Sequence, residues 1–416
     1  MRRAFLLALG AALTYAGGAR ADSAPPLGLA DALARVEAHG PDRQVAQAGI
    51  DVARAEVTTE RMLPNPTLSL LGAKVEPIFS AGLQLRVPMF GQRGAHVRAA
   101  ERGVDQAAAE SALAGWRLRH DARVDYYAVV LADEEVAIAR QVEALTGQVA
   151  NMAAERFQVG AGTRLEKEQA ALVHARAEQD IVDRLAAVKV ARLELDRILG
   201  APAGSIGPLT DGLPALGATP PEAELLSQAR AHHPELAAIA REKEAALARA
   251  QAGRADRRPY PAFELGLDVL EPATCGHPES SGQRCVGPHG GLSFDLPIFN
   301  LNGGPIARAE AEARLAERKE VAALARVEAA VRAAYQTFEA ARVRAHFFDV
   351  EYVPAAASVE KMAREGFASG KTGLLPLLEA ERAVLEARVG RAEALYAVQA
   401  ARADLEEASG VALSTP

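Results

Sequence analysis

The residues best suited to chemistry are Cys275 and Cys285, the two cysteines of this 416-residue chain, with His277 and His289 close by. Ten residues apart in an oxidising compartment, the cysteines read as a disulfide closing a loop. Thiolate and imidazole at short spacing are also the ligand types of a metal site. Gly366-Phe367-Ala368-Ser369-Gly370-Lys371-Thr372 has the outline of a phosphate-binding loop. Its glycines enclose three residues rather than four and no buried strand precedes them, so nucleotide binding is not expected. His232 and His233 stand at a polar helix start without a partner motif and read as solvated surface. With no serine nucleophile elbow and no zinc-protease helix, neither an enzyme nor a cofactor is expected.

Few residues can do bond chemistry, so the elements that place them carry the argument. Met1-Arg2-Arg3, the apolar run Ala4 to Leu13 and the small-x-small Ala19-Arg20-Ala21 have the layout of a signal peptide cleaved before Asp22. The whole chain has 47 Lys+Arg against 54 Asp+Glu, a net charge of -7. Removing Arg2, Arg3 and Arg20 leaves 44 against 54, or -10. That balance excludes a general nucleic-acid surface. No later segment has 18 uninterrupted apolar residues, so entry into a membrane would have to be as strands.

The chain repeats itself. Phe157-Gln158-Val159-Gly160 is answered by Phe367-Ala368-Ser369-Gly370, and Leu199-Gly200 by Ser409-Gly410, both at an offset of 210 residues. Pro64-Asn65-Pro66 is answered by Pro259-Tyr260-Pro261 at 195, and Val87-Pro88-Met89-Phe90 by Leu296-Pro297-Ile298-Phe299 at 209, leaving a 14-residue insertion in the second copy. Such self-similarity indicates one unit doubled. The halves, 22–210 and 211–416, meet in the Gly- and Pro-dense stretch Gly200 to Pro221.

Each half runs helix, strand, strand, long helix, turn, helix. In the hairpins, about 64–90 and 259–299, Leu68 and Leu70 flank Ser69, and Leu83, Leu85 and Val87 alternate with Gln84 and Arg86. Phe263, Leu265, Leu267 and Val269 alternate with Glu264, Gly266 and Asp268, and Leu292, Phe294 and Leu296 with Ser293 and Asp295. A half-buried soluble sheet alternates in the same way. Four strands between very long helices would leave two raw edges, however, and a membrane barrel needs at least about eight strands. Four strands per chain therefore imply that subunits pool them.

The stretches from about Gly94 to Phe157 and Gly304 to Phe367 each predict some 64 residues of helix, roughly 95 Å long. A heptad-like register, Leu324, Val327, Val331, Ala334 and Phe338, runs through the second, and Pro354 should kink or break it. Helices are also expected over about Thr163 to Leu199 and Pro221 to Arg257. The expected class is mainly α with a β-barrel part, a tall helical tube rather than a globule.

The tips, about 157–164 and 367–374, with the strand exits Val87-Pro88-Met89-Phe90-Gly91 and Leu296-Pro297-Ile298-Phe299-Asn300, resemble the TolC family of outer-membrane efflux channels over essentially the whole mature chain. Leu378-Glu379-Ala380-Glu381-Arg382 through Ala403-Asp404-Leu405-Glu406 looks like its heavy-metal branch, the outer components of cobalt, zinc, cadmium or copper exporters. The resemblance implies a homotrimer whose twelve-stranded barrel sits in outer-membrane lipid and continues as a helical barrel across the periplasm. Its implied partners are a periplasmic adaptor (membrane fusion) protein and an inner-membrane pump of the resistance-nodulation-division (RND) type. It also implies that carboxylates after the tip glycine line the periplasmic aperture, which maps onto Glu166 and Glu379. The pattern departs at Pro376 and Gln169, where carboxylates would complete the ring, and both acids could equally be solvated helix surface. Adaptor docking maps onto Val159, Gly160, Gly162, Thr163 and Arg164, and onto Ser369, Gly370, Lys371, Thr372 and Leu374. The alternatives are a multidrug or type I secretion channel and, in a different class, a non-conducting coiled-coil scaffold of the envelope.

Overall fold

The computed structural model describes residues 25–74, 77–214, 220–271, 274, 284–296 and 298–413. The expected signal peptide, residues 1–21, lies outside them. Two helices, α1 (Leu29–His39) and α2 (Pro41–Arg61), lead into β1 (Thr67–Gly72) and β2 (Phe79–Arg86). The 67-residue α3 (Gln92–Gln158) and then α4 (Arg164–Leu199) complete the first copy. The second copy is α5 (Glu222–His232), α6 (Pro234–Ala255), β3 (Tyr260–Leu270), β4 (Cys285–Asp295), α7 (Gly303–Phe347), α8 (Val353–Ala368) and α9 (Leu374–Ser409).

The helix expected over 221–257 is two helices. Pro234 has no N–H to continue a helix and drives His233 into an extended conformation (φ -60°, ψ 128°). The same break occurs at Gly40-Pro41 in the first copy, where a Cβ on Gly40 would lie 2.5 Å from the Val36 carbonyl. His233 is therefore not the surface histidine of the sequence reading. It is 7% exposed and caps α6, its Nδ1 accepting from the Glu235 N–H at 3.2 Å while Nε2 meets the Glu407 carbonyl at 3.3 Å. Burial holds its pKa down, consistent with a neutral ring.

Pro354 interrupts the second long helix as expected. A π-helical turn, Phe348–Tyr352, separates α7 from α8. It contains Val350, the residue whose carbonyl the Pro354 ring would crowd in a regular helix. The turn swings Phe348 against Gly390 of α9, where an added Cβ would fall 2.6 Å from the ring.

Two equivalent cores sit at the middle of the molecule. One joins Leu33 and Val36 of α1 to Tyr126 and Val129 of α3 and Leu195 and Leu199 of α4. The other joins Leu225 of α5 to Val331 and Phe338 of α7 and Val398 and Leu405 of α9. The linker between copies is strapped to the first core: Asp211 Oδ2 accepts from the Leu29 N–H at 2.6 Å, capping α1 from 182 residues away, and lies 3.0 Å from the Tyr126 hydroxyl.

Polar contacts join α3 to α9. Arg123 Nη1 lies 2.8 Å from Glu406 Oε1. One turn earlier, His120 Nε2 meets Asp404 Oδ1 at 2.8 Å and Nδ1 meets Asp121 Oδ1 at 2.9 Å. The hydrogen bond from Asp404 outweighs the burial that opposes it and, with Asp121 and Glu407, pushes the His120 pKa up to about 9. The folded state thus keeps a proton that the unfolded histidine, near 6.5, gives up. This contribution is complete below pH 6.5 and is lost as pH rises to about 9. Discounted for the half-exposed carboxylates, it is about 1–2 kcal/mol. In denaturant titrations followed at Trp116, the stability difference between wild type and His120→Gln should be largest at pH 6 and close to zero by pH 9–10. A difference that stays constant with pH would remove His120 from this role.

Candidate conduit and docking tips

The strands form one antiparallel sheet in the order β1-β2-β3-β4. Each register follows the alternation in the sequence: Leu83 lies opposite both Leu68 and Leu265, and Leu265 opposite Gly290. One face therefore carries Leu68, Leu70, Leu83, Leu265, Leu267 and Leu292, all more than half exposed. A contiguous apolar patch spread over four strands is not a water-facing surface. It suits hydrocarbon.

The opposite face is polar along most of its length and carries contacts between strands, with Leu71 near the end of β1 its exposed apolar exception. Ser69 Oγ lies 3.4 Å from Glu264 Oε1, and Gln84 Nε2 is 3.4 Å from Ser293 Oγ. Arg86 pairs with Asp295 at 2.9 Å. His289 lies across the strand with Nδ1 3.0 Å from Asp268 Oδ1, a position open to it because its partner is Gly266, where any Cβ would overlap the ring at 2.4 Å. Among the described residues β1 and β4 each pair on one side only, so the sheet ends in two free edges.

At the far end of the long helices the two copies close with the same turn. Gly160 (φ 75°) and Gly370 (φ 72°) take the left-handed conformation that ends a helix, and the next N–H reaches back five residues, Ala161 to the Arg156 carbonyl at 2.8 Å and Lys371 to the Gly366 carbonyl at 2.9 Å. Val159, Gly160, Thr163 and Arg164 are exposed, as are Ser369, Gly370, Lys371 and Thr372, while Gly162 is half-buried. Leu374 differs from the expectation for a docking residue. It is 2% exposed and packs with Phe367, Leu377, Val149 and Ala170, because the two tips share an apolar core that needs a large side chain there.

Arg156, which the sequence reading passed over, ties the tips together. Its guanidinium lies 4.7 Å from the centre of the Phe367 ring and donates to the Phe367 carbonyl at 2.9 Å. Glu381 was also missed. It is buried against Arg364 at 2.7 Å, and burial pushes its pKa up despite that pair. Arg156 and Phe367 are 211 residues apart, and Glu381 meets Arg364 across the tip turn, 17 residues away, so the periodicity of a single helix could find neither contact.

The structure gives Glu166 a local task. It completes a capping box, its Oε2 accepting from the Thr163 N–H at 2.8 Å while Thr163 Oγ1 accepts from the Glu166 N–H at 3.2 Å. Glu379 is exposed on α9, as are Gln169 and Pro376. Cys275 and His277 lie outside the described residues, and Cys285, the first residue of β4, has no free thiol.

Set against known proteins, residues 32–201 and 225–411 each match the outer membrane efflux protein family, which puts the duplication on the family's own unit. The chain is 26% identical over 375 residues to the cobalt-zinc-cadmium resistance protein CzcC of Cupriavidus metallidurans, covering 88% of this chain and 86% of that protein. Its fold is that of CusC, described for its transmembrane channel formation (TM-score 0.71, 19% identity, 92% of each chain). It is also that of the outer membrane protein VceC of Vibrio cholerae (TM-score 0.70, 17% identity, 92% of this chain and 96% of that one).

Proposed function

The chain belongs to the outer membrane efflux protein family, and from that premise we propose that it is the passive exit duct of a tripartite pump that expels heavy-metal cations. The two-faced sheet carries this reading: apolar outside, polar inside, with free edges on β1 and β4. Three chains joined edge to edge would close twelve strands and leave no unpaired backbone in lipid. The chain crosses the outer membrane as strands, and no described helix is long and apolar enough to cross one. The family is one of channels, and the work assigned to this chain is conduction. The heavy-metal cargo is inferred from the likeness to CzcC.

In this reading residues 1–21 are the signal peptide and 22–210 and 211–416 the two units. The disulfide between Cys275 and Cys285 closes the loop at the top of the second hairpin. The tips at Val159 to Arg164 and Ser369 to Thr372 meet a periplasmic adaptor that couples the duct to an inner-membrane pump of the resistance-nodulation-division type. Three copies of Glu379, aided by Glu166, ring the aperture and favour cations. Planar-bilayer recordings with the oligomer mass measured in the same detergent test this: a trimer should give a cation-selective pore. A protein that neither inserts nor conducts, even with loosened tips, supports the scaffold instead.

Glu379→Gln combined with Glu166→Gln should lower the cation preference. Glutamine keeps the capping box, so only charge is removed. Each carboxylate about 8 Å from a passing ion in water contributes roughly 0.5 kcal/mol, or about twofold in the permeability ratio. An unchanged reversal potential in a salt gradient would refute the aperture assignment. Export of zinc, cobalt, cadmium or copper, tested by sensitivity of a deletion strain, separates metal cargo from drugs or polypeptides.

A further inference from the structure

Glu143 on α3 and His174 and Glu178 on α4 each offer one ligand atom, and these atoms lie within 4.8 Å of one another. We propose that Glu143, His174 and Glu178 form a binding site for a divalent transition-metal ion that ties α3 to α4 behind the tip. The proposal stands on these side chains and does not depend on the efflux reading.

Three features separate the cluster from ordinary surface charge. The first is that His174 is oriented. Thr146, 4% exposed, donates its single hydroxyl proton within its own helix, to the Val142 carbonyl at 2.9 Å or the Glu143 carbonyl at 3.0 Å. The same oxygen lies 3.4 Å from His174 Nδ1, and with its proton on a helix carbonyl it accepts from an Nδ1–H. In that tautomer the Nε2 lone pair is free for an ion, the arrangement metal-binding histidines obtain from an outer partner. The second is that room has been left for the ring. Gly147 lies beneath it, where a Cβ would approach Cε1 to 3.2 Å.

The third feature is charge. The helical surface is dense in Arg–Glu and Arg–Asp pairs, yet among the described residues neither Glu143 nor Glu178 has a lysine or arginine within ion-pair distance. Two carboxylates and a neutral imidazole carry a charge of -2, which a dication neutralises. His174 Nε2 and Glu178 Oε1, four residues apart on one helix face, are 3.6 Å from each other. Ligands about 2.1 Å from a tetrahedral ion stand about 3.4 Å apart, so only Glu143 has to swing inward, and water can fill the open position. One nitrogen and two oxygens suit zinc or cobalt, whereas magnesium and calcium prefer all-oxygen shells. Glu143 lies 15 residues before the end of α3 and His174 ten after the start of α4, which puts the ion roughly 15–22 Å from the tip. Metal concentration is thereby coupled to the stiffness of the hairpin that carries the tip.

The test is equilibrium dialysis of the tag-free, EDTA-stripped full-length protein against zinc or cobalt, with bound metal counted by mass spectrometry. Wild type should hold one more ion per chain than either His174→Ala or Glu178→Gln, and millimolar magnesium should not displace it. Thr146→Val, of the same shape, should keep the stoichiometry and weaken affinity about tenfold, the usual loss of an outer partner. Glu178 is exposed, so Glu178→Gln reports even if His174→Ala folds poorly. Equal metal content in wild type and Glu178→Gln overturns the proposal. So does displacement by magnesium, or an affinity in Thr146→Val equal to that of wild type.

Discussion

Glu406→Ala lowers the stability of the folded chain by about 3–5 kcal/mol, a large share of what an ordinary domain has. Glu406 Oε1 receives Arg123 Nη1 at 2.8 Å, Arg402 Nε at 3.3 Å and the Leu413 N–H at 3.2 Å, and the Arg123, Glu406 and Arg402 side chains are all 10% exposed or less. Arg402 in turn holds the Leu413 carbonyl at 2.7 Å, so the chain beyond α9 is pinned to the same group. Removing the carboxylate takes away the group that both buried guanidinium ions share, and the desolvation left uncompensated at Arg123 dominates the loss. Guanidinium unfolding followed at Trp116 should show an earlier midpoint with little change in slope. Arg123→Met, Arg402→Leu and Glu406→Leu combined should recover most of the loss, because an apolar cluster of similar volume carries no desolvation cost. If the single variant unfolds with wild type, the triad does not hold α3 to α9.

That triad also marks the boundary of what the sequence could reveal. Local periodicity predicts the strands well, since Leu68, Leu83, Leu265 and Leu292 each keep the face that alternation assigns them. It predicts the long helices nearly as well, for Val327, Val331 and Phe338 of the heptad-like run are buried and Ala334 partly so, while Leu324 at its start is 37% exposed. The doubled tip turns are legible because glycine in the left-handed region is a local requirement, met at Gly160 and at Gly370. Contacts between partners far apart leave no such trace. Arg123 and Glu406 are 283 residues apart, Asp211 caps α1 across 182, and Arg156 reaches Phe367 across 211. His233 shows the same limit at short range: Pro234 is visible in the sequence, but the buried capping role follows only once α9 brings the Glu407 carbonyl beside the ring. Leu374 is equally instructive, since its place in a docking loop suggests exposure and the shared tip core takes it inside.

Leu265→Arg should abolish assembly into the outer membrane, at a cost of about 2–4 kcal/mol for a charge near the bilayer midplane. Leu265 is 73% exposed, stands in the middle of the 11-residue β3, and shares its face with Leu83 across the ladder. Among the described residues the guanidinium at this position has no polar neighbour on its own face, and it has too little length to reach either interface at low cost. One residue along, the argument reverses. Glu264 points to the polar face beside Ser69, where a change of charge meets water, so Glu264→Gln should insert normally and change only ion selectivity. The two variants differ by one step in a period of two, which makes the pair a test of facing rather than of tolerance to substitution. Membrane fractionation with a protease-protection assay reads both. Leu265→Arg in the aggregated or periplasmic fraction beside Glu264→Gln in the outer membrane fits a lipid-facing Leu265. Equal recovery of both in the outer membrane would mean that the exposed apolar face does not meet lipid, and the barrel reading would fall with it.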